Sequence, residues 1–279
     1  MKIGFLGAGN MASAIHGGLL RDNLFPPDSI LVYDVLIEKA KEFAAKGAVQ
    51  KISEEELAAE SDVILLAVKP QNFPELLPKI KSQSKGKLVI SIAAGILIET
   101  IHNVLTDASI VRVMPNLPMI YGMGVTVLCK GTDVTDEQFT LAKKIFDACG
   151  KTGIIDESQM NSIIAVHASS PAFIFLFAKS IGDYADSAGI DRAEAIRLFA
   201  HTMAGSAKML IENSQLKIHN SQSGTGVINP SICDDLIDMV ASPGGTTRAA
   251  LDRFDELKFS EIIQEACGAC TKRAIELGQ

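Results

Sequence analysis

Six residues near the start of the chain, Gly7-Ala8-Gly9-Asn10-Met11-Ala12, have the types and spacing of a phosphate cradle. They follow a short apolar run, Ile3 to Leu6, and open a helical pattern. In such a turn the first glycine permits the sharp bend, and the second lets the backbone approach a pyrophosphate. The small third position, here Ala12, allows close helix–strand packing. The N–H groups at the helix start would then face the phosphates. This is the chemistry of dinucleotide binding, with Gly7, Ala8, Gly9, Asn10 and Met11 as the cofactor-binding turn. Asp34 closes the second apolar run, where a carboxylate can accept from the adenosine ribose hydroxyls and repel the extra phosphate of NADPH. No Arg follows within Val35-Leu36-Ile37, and Glu54-Glu55-Glu56 adds negative charge where a third strand is expected, so NADH is favoured over NADPH. A competing reading makes Asp34 a simple turn cap.

The elements that must position these residues alternate along the first half. Ile3 to Leu6, Ile30 to Tyr33, Val63 to Val68, Leu88 to Ile92, Ile110 to Val113 and Val125 to Cys129 read as strands. Met11 to Leu20, Glu38 to Ala45, Phe73 to Ile80 and Ile96 to Leu105 carry helical spacing. That alternation predicts an α/β fold, a Rossmann-type doubly wound, mostly parallel sheet with helices on both faces. The rhythm stops near Gly150. From Met160 onward apolar residues recur every three or four positions, Gly189 offers a helix end, and Asp191 with Glu194 resembles a capping pair. The expected division is residues 1–155 for dinucleotide binding and 156–279 for an all-α domain. The run Pro171 to Ala178 is apolar around its whole circumference and needs cover on every side. A polar stretch from Asn213 to Asn229 reads as a loop.

Bulk properties narrow the partners. At 279 residues with a net charge of −7, the chain suits two compact units and a small-molecule substrate better than nucleic acid. No apolar run approaches the roughly 20 residues of a membrane span, and the first apolar run is too short for a signal peptide, so a cytoplasmic location is expected. A mean hydropathy of +0.23 without such a span points to apolar surface hidden between subunits, hence a homo-oligomer. The 5 cysteines are expected to be free thiols. Cys267 and Cys270 form a CxxC with no second ligand pair, so packing is favoured over metal binding. The 5 histidines are dispersed and receive structural roles by default.

Several separated motifs stand in one order: Ile3 to Ala12, Ala67-Val68-Lys69-Pro70-Gln71, Ser91-Ile92-Ala93-Ala94-Gly95, Arg112-Val113-Met114-Pro115-Asn116, and Ser242-Pro243-Gly244-Gly245-Thr246-Thr247. In this the whole chain resembles the pyrroline-5-carboxylate reductase family. The resemblance implies reduction of the ring C=N bond of 1-pyrroline-5-carboxylate to L-proline by NADH or NADPH. It also implies a C-terminal dimerisation domain that interlocks two subunits and completes the active site, and in some members a ring of five such dimers. It places Val68, Lys69 and Pro70, Ala93 and Gly95, and Met114, Pro115 and Asn116 beside the cofactor. It makes Ser242, Gly244, Gly245, Thr246 and Thr247 the substrate-binding turn, with the Thr247 hydroxyl reaching the ring nitrogen as the catalytic group. The residues agree, because glycines before a helix present consecutive N–H groups to an anion such as a carboxylate. An ordinary turn and N-cap is the plainer reading of that segment alone.

The chain departs from the family pattern at three places, one of them the stretch from Leu216 to Met239, which is longer than expected. Leu117 stands where members read Thr, and His167-Ala168-Ser169-Ser170-Pro171 where they commonly read Ser-Gly-Ser-Gly-Pro. Each replaced glycine adds volume near the expected substrate position. A beta-hydroxyacid dehydrogenase, with Lys179 as acid and base, and a regulatory NAD(P)-binding module without turnover are the alternatives.

Overall fold

The computed structural model describes residues 1–216 and 231–278, and in it the apolar runs become strands of one eight-stranded sheet. The strands are β1 (Ile3–Leu6), β2 (Ile30–Tyr33), β3 (Val49–Gln50), β4 (Val63–Leu66), β5 (Leu88–Ser91), β6 (Ser109–Met114), β7 (Gly124–Lys130) and β8 (Gly150–Ile154). Their order is β3-β2-β1-β4-β5-β6-β7-β8, and every pairing is parallel except β6 with β7. Burial on both faces explains why β1 and β4 read as continuous apolar runs with no polar alternation. One face, carrying Ile3, Phe5, Val63 and Leu65, packs under α1 (Asn10–Arg21), α2 (Ile37–Ala44) and α6 (Asp136–Asp147). The other, carrying Leu6, Ile64 and Leu66, packs under α3 (Glu54–Glu60), α4 (Phe73–Ile80) and α5 (Ile98–His102).

The order reverses at β1, whose neighbours are β2 on one side and β4 on the other. Leu6 pairs with both Tyr33 and Leu66, so the chain leaves all three strands at one level, with Gly7, Asp34 and Ala67 side by side. Open α/β sheets bind their ligands at such a switch point.

Glu54, Glu55 and Glu56, just past β3, open helix α3, because the Ser53 hydroxyl accepts the Glu56 N–H at 3.1 Å and acidic side chains suit a helix start. Two expectations change. The sheet continues past Gly150, where β8 pairs with β7 despite two glycines in the strand. Helix α6, which apolar periodicity does not announce, begins in a capping box of Thr135 and Gln138.

The later chain is helical throughout its described residues, as α7 (Ser170–Ser187), α8 (Arg192–Leu216), α9 (Ile232–Val240), α10 (Thr246–Glu256) and α11 (Phe259–Glu276). Gly189 turns the chain at φ +77°, and the Asp191 carboxylate accepts the Glu194 N–H at 2.8 Å to start α8. The polar stretch expected as a loop begins inside α8, which runs to Leu216. From residue 217 to 229 it lies outside the described residues.

Packing groups the described residues in two compact units. One compact unit comprises Met1–Pro171 with the chain end from Cys267, and the other Ala172–Ala266. Residues 157–168 belong to the first because Glu157, Asn161 and His167 bond to β6 or its end. Among the described residues, no helix is long and apolar enough to cross a membrane.

Candidate cofactor and anion sites

At the carboxyl edge of β1, Gly7 adopts φ +103°, and a Cβ there would stand 2.7 Å from the Ala67 carbonyl oxygen. Only glycine fits, since both the backbone angle and the neighbouring strand exclude a side chain. A Cβ on Gly9 would meet nothing within 4 Å, so the backbone there borders open space. Gly9 caps α1 without a side-chain bond, no acidic residue occupies the first turn, and the first helical bond runs from Ser13 N–H to the Gly9 carbonyl. The N–H groups of Asn10, Met11 and Ala12 therefore have no acceptor within the helix, which suits an anion.

Asp34 is tied to this turn from a distance of 26 residues. Its Oδ2 accepts the Ala8 N–H at 2.7 Å, and its Oδ1 accepts the Leu36 N–H at 2.8 Å. The turn-capping reading is thus realised. Each carboxylate oxygen still keeps a lone pair for a further donor. The cleft beside Gly7, Gly9 and Asp34 has a volume of about 580 Å³, within the range of small-molecule sites. Val68 and Lys69 line it, and Pro70 opens a 3-10 turn, Pro70–Asn72, whose Gln71 and Asn72 line it too.

A further wall of the cleft is formed by Glu54, whose charge the sequence flagged, and by Lys39, Glu75 and Lys79, which it did not. Lys79 bonds Glu54 at 2.9 Å. Burial is the largest single influence and pushes the Glu54 carboxyl upward, but the hydrogen bonds from Lys79, the backbone and Tyr33, together with the Lys79 charge, outweigh it and leave the group below its ordinary range. Burial, seconded by the Glu54 charge, raises the neighbouring Tyr33 phenol. Lys39 has no ion-pair partner among the described residues and leaves positive charge on this wall. The S-x-x-E signal of Ser53 and Glu56 could have placed this helix start at the cleft.

The remaining expected cofactor residues lie after β5 and β6. Gly95, at φ +81°, lets the end of α11 approach, since a Cβ would stand 2.5 Å from the Ala274 carbonyl oxygen. Ala93 is buried. At the end of β6, Met114 and Asn116 are buried, and the Met114 carbonyl faces His167 Nε2 at 2.8 Å. The Asn116 amide is spent on the protein: Nδ2 donates to the His167 carbonyl at 3.0 Å, and Oδ1 accepts the Val125 N–H at 2.8 Å. Beneath them Arg112, with no exposed surface, donates to Glu157 at 3.1 Å and to Asn161 at 2.8 Å.

The second packing unit carries the turn at 242–247. Gly244 sits at φ +69°, Gly245 is the N-cap of α10, and the first turn of that helix has no acidic residue. The Gly245 N–H is spent on the Ser242 carbonyl at 3.0 Å, and the first helical bond runs from Ala249 N–H to the Gly245 carbonyl. Thr246, Thr247 and Arg248 are left as the N–H donors for an anion. The Thr247 hydroxyl has no hydrogen-bond partner among the described residues, and the residue lines an apolar depression with Leu210, Val240 and Leu251. Lys179 bonds Asp183 at 2.9 Å on an exposed helix face, the ordinary surface ion pair and not a poised acid or base.

Among the described residues, no group of His, Cys, Asp or Glu could hold a metal ion, and all 5 cysteines are free. Cys149 is buried between α1 and α6, and desolvation pushes its thiol up to about 12, so it is an inert packing residue.

Comparison with known proteins agrees with this geometry. A family model for pyrroline-5-carboxylate reductase dimerisation matches residues 157–277, and one described as coenzyme F420-dependent NADP oxidoreductase matches residues 2–95. The chain is 36% identical to the pyrroline-5-carboxylate reductase of Haemophilus influenzae over 99% of its own length and 97% of the relative's. It is 34% identical to that of Methanosarcina acetivorans, covering 100% of this chain and 98% of the other. A crystal structure of Plasmodium falciparum pyrroline carboxylate reductase with NADP bound superposes with a TM-score of 0.85 at 28% identity, covering 100% and 98% of the two chains.

Proposed function

The chain belongs to the pyrroline-5-carboxylate reductase family, and on that premise we propose that it reduces 1-pyrroline-5-carboxylate to L-proline, with NADH as the preferred nicotinamide. The carrying observation is the strand–turn–helix at Gly7 to Met11, with a glycine that nothing larger can replace and a helix N-terminus free of acidic side chains.

When bound, the nicotinamide supplies the hydride for the ring carbon of the C=N bond. The chain's own residues bind and orient. The free amides of Asn10, Met11 and Ala12 at the start of α1 hold the pyrophosphate, and the free lone pairs of Asp34 take the adenosine ribose hydroxyls. Asp34 disfavours a 2′-phosphate, whereas Lys39, which lines the same cleft, attracts one, so the preference for NADH is a matter of degree. Val68, Lys69 and Pro70, with Met114, Pro115 and Asn116, border the cofactor at the strand ends.

The turn from Ser242 to Thr247 holds the substrate carboxylate, through the Thr246 and Thr247 N–H groups and the start of the α10 dipole. Its unpartnered hydroxyl makes Thr247 the group that steadies or protonates the ring nitrogen. No protein nucleophile is required, because a protonated imine is already electrophilic and orientation does most of the work. Phe175 and Leu176 on α7 are 65% and 63% exposed, an apolar face that a second copy of the chain covers in the proposed homodimer.

Purified protein given 1-pyrroline-5-carboxylate oxidises NADH, and Thr247→Ala slows turnover far more than it weakens cofactor binding. Cofactor binding without turnover on any cyclic imino acid overturns the reading in favour of a regulatory module.

A further inference from the structure

The mechanism above leaves one buried ionisable side chain unused although it touches the strand end assigned to the nicotinamide. His167 is 8% exposed and sits in a single π-helical turn, Ile164–Ala168, ahead of α7. Such wide turns are uncommon and frequent at functional sites, because they aim a side chain where a regular helix would not. Here the ring reaches two backbone oxygens. Nε2 lies 2.8 Å from the Met114 carbonyl, and Nδ1 lies 3.0 Å from the Ile163 carbonyl.

Carbonyl oxygens only accept. A neutral imidazole donates from one nitrogen and presents a lone pair at the other, so one contact would set two acceptors against each other in a buried place. The shorter contact, from Nε2 to the Met114 carbonyl, is the one that takes the hydrogen. The charged neighbours on the adjoining elements do not compete for the ring, since Arg112 on β6 and Glu157 are paired with each other at 3.1 Å. The nearby Cys270 on α11 lies 3.3 Å from the Ser169 hydroxyl. A second brace joins the same two segments, the bond from Asn116 Nδ2 to the His167 carbonyl at 3.0 Å.

We propose that His167 is a positioning residue: donating from Nε2, it clamps the Met114 carbonyl to the π-helical turn and so fixes the Met114–Asn116 segment that borders the nicotinamide. The inference rests on the proposed reductase function. It concerns the placement of that segment and assigns His167 no contact with substrate.

Two measurements test it. Nitrogen-15 correlation spectra of the cofactor-free protein are expected to show a hydrogen on Nε2 of His167. A bare Nε2 overturns the proposal. In steady-state kinetics with NADH and with 4-deuterated NADH, His167→Phe is expected to lower kcat about tenfold and raise the isotope effect on kcat. KM for the substrate should stay near its original value, because the carboxylate is held at residues 242–247. His167→Gln, which keeps one donating nitrogen, should recover part of kcat. Folded variants with unchanged kcat and isotope effect overturn the proposal. If His167→Phe does not fold, His167→Gln and the ring spectra of the unmodified protein still decide. Absence of turnover in the unmodified protein would refute the reductase reading alone, leaving the ring spectra to judge this one.

Discussion

Acid should weaken this protein through one histidine in the core beside the nucleotide turn. His16 lies on the buried face of α1, has no exposed surface, stacks on Phe43 with ring centroids 4.5 Å apart, and has no hydrogen-bond partner for either nitrogen. Desolvation, with a smaller contribution from the Lys46 charge, lowers its pKa from 6.5 to about 4. Above 6.5 both folded and unfolded states are neutral and the group is without effect. As pH falls from 6.5 toward 4, the unfolded chain takes up a proton that the fold refuses, so stability is lost across that window. At 1.36 kcal/mol per unit, the shift amounts to about 3 kcal/mol in full, of which about 2 kcal/mol is lost between pH 7 and pH 5. His16→Phe keeps a ring against Phe43 and removes the proton site. Urea unfolding of both proteins at pH 7, 6 and 5, at one protein concentration, should show the parent losing about 2 kcal/mol more than the variant over this range. Parallel losses in the two proteins would refute the reasoning, whatever their absolute stabilities.

Gly7→Ala sets a Cβ 2.7 Å from the Ala67 carbonyl oxygen at φ +103°. Fluorescence titration should show the Kd for NADH rising at least about tenfold, equivalent to about 1.4 kcal/mol. Asp34→Ser removes the carboxylate that repels a 2′-phosphate while leaving Lys39 in place, so KM for NADPH should fall and KM for NADH rise, in paired assays. Gly95→Ala strains φ +81° and drives a Cβ to 2.5 Å from the Ala274 carbonyl oxygen, which should cost about 1–3 kcal/mol in a denaturant titration.

The nucleotide turn was legible because its signal is local. Strand, bend and helix follow one another within Ile3 to Arg21, and the glycine requirement is a property of the backbone there. Its surroundings were less so. The edge strand β8, Gly150–Ile154, lacks an apolar period because one side has no strand neighbour and its residues are only partly covered. The helix start at Ser53 was readable from its capping pattern, but three consecutive acids drew attention to charge rather than to structure.

From local order alone, the chain determined its doubly wound strands, its cofactor turn, and the helical character of its later part. Hydrophobic period and glycine conformation act within a few residues, so a linear string displays them. Only the tertiary fold decided that Asp34 would bond the Ala8 amide, that Arg112 would be buried against Glu157, and that His167 would meet the Met114 carbonyl across 53 positions. Those pairings depend on strand register and on where a wide helical turn points a ring, and neither is written in the spacing of the residues that meet.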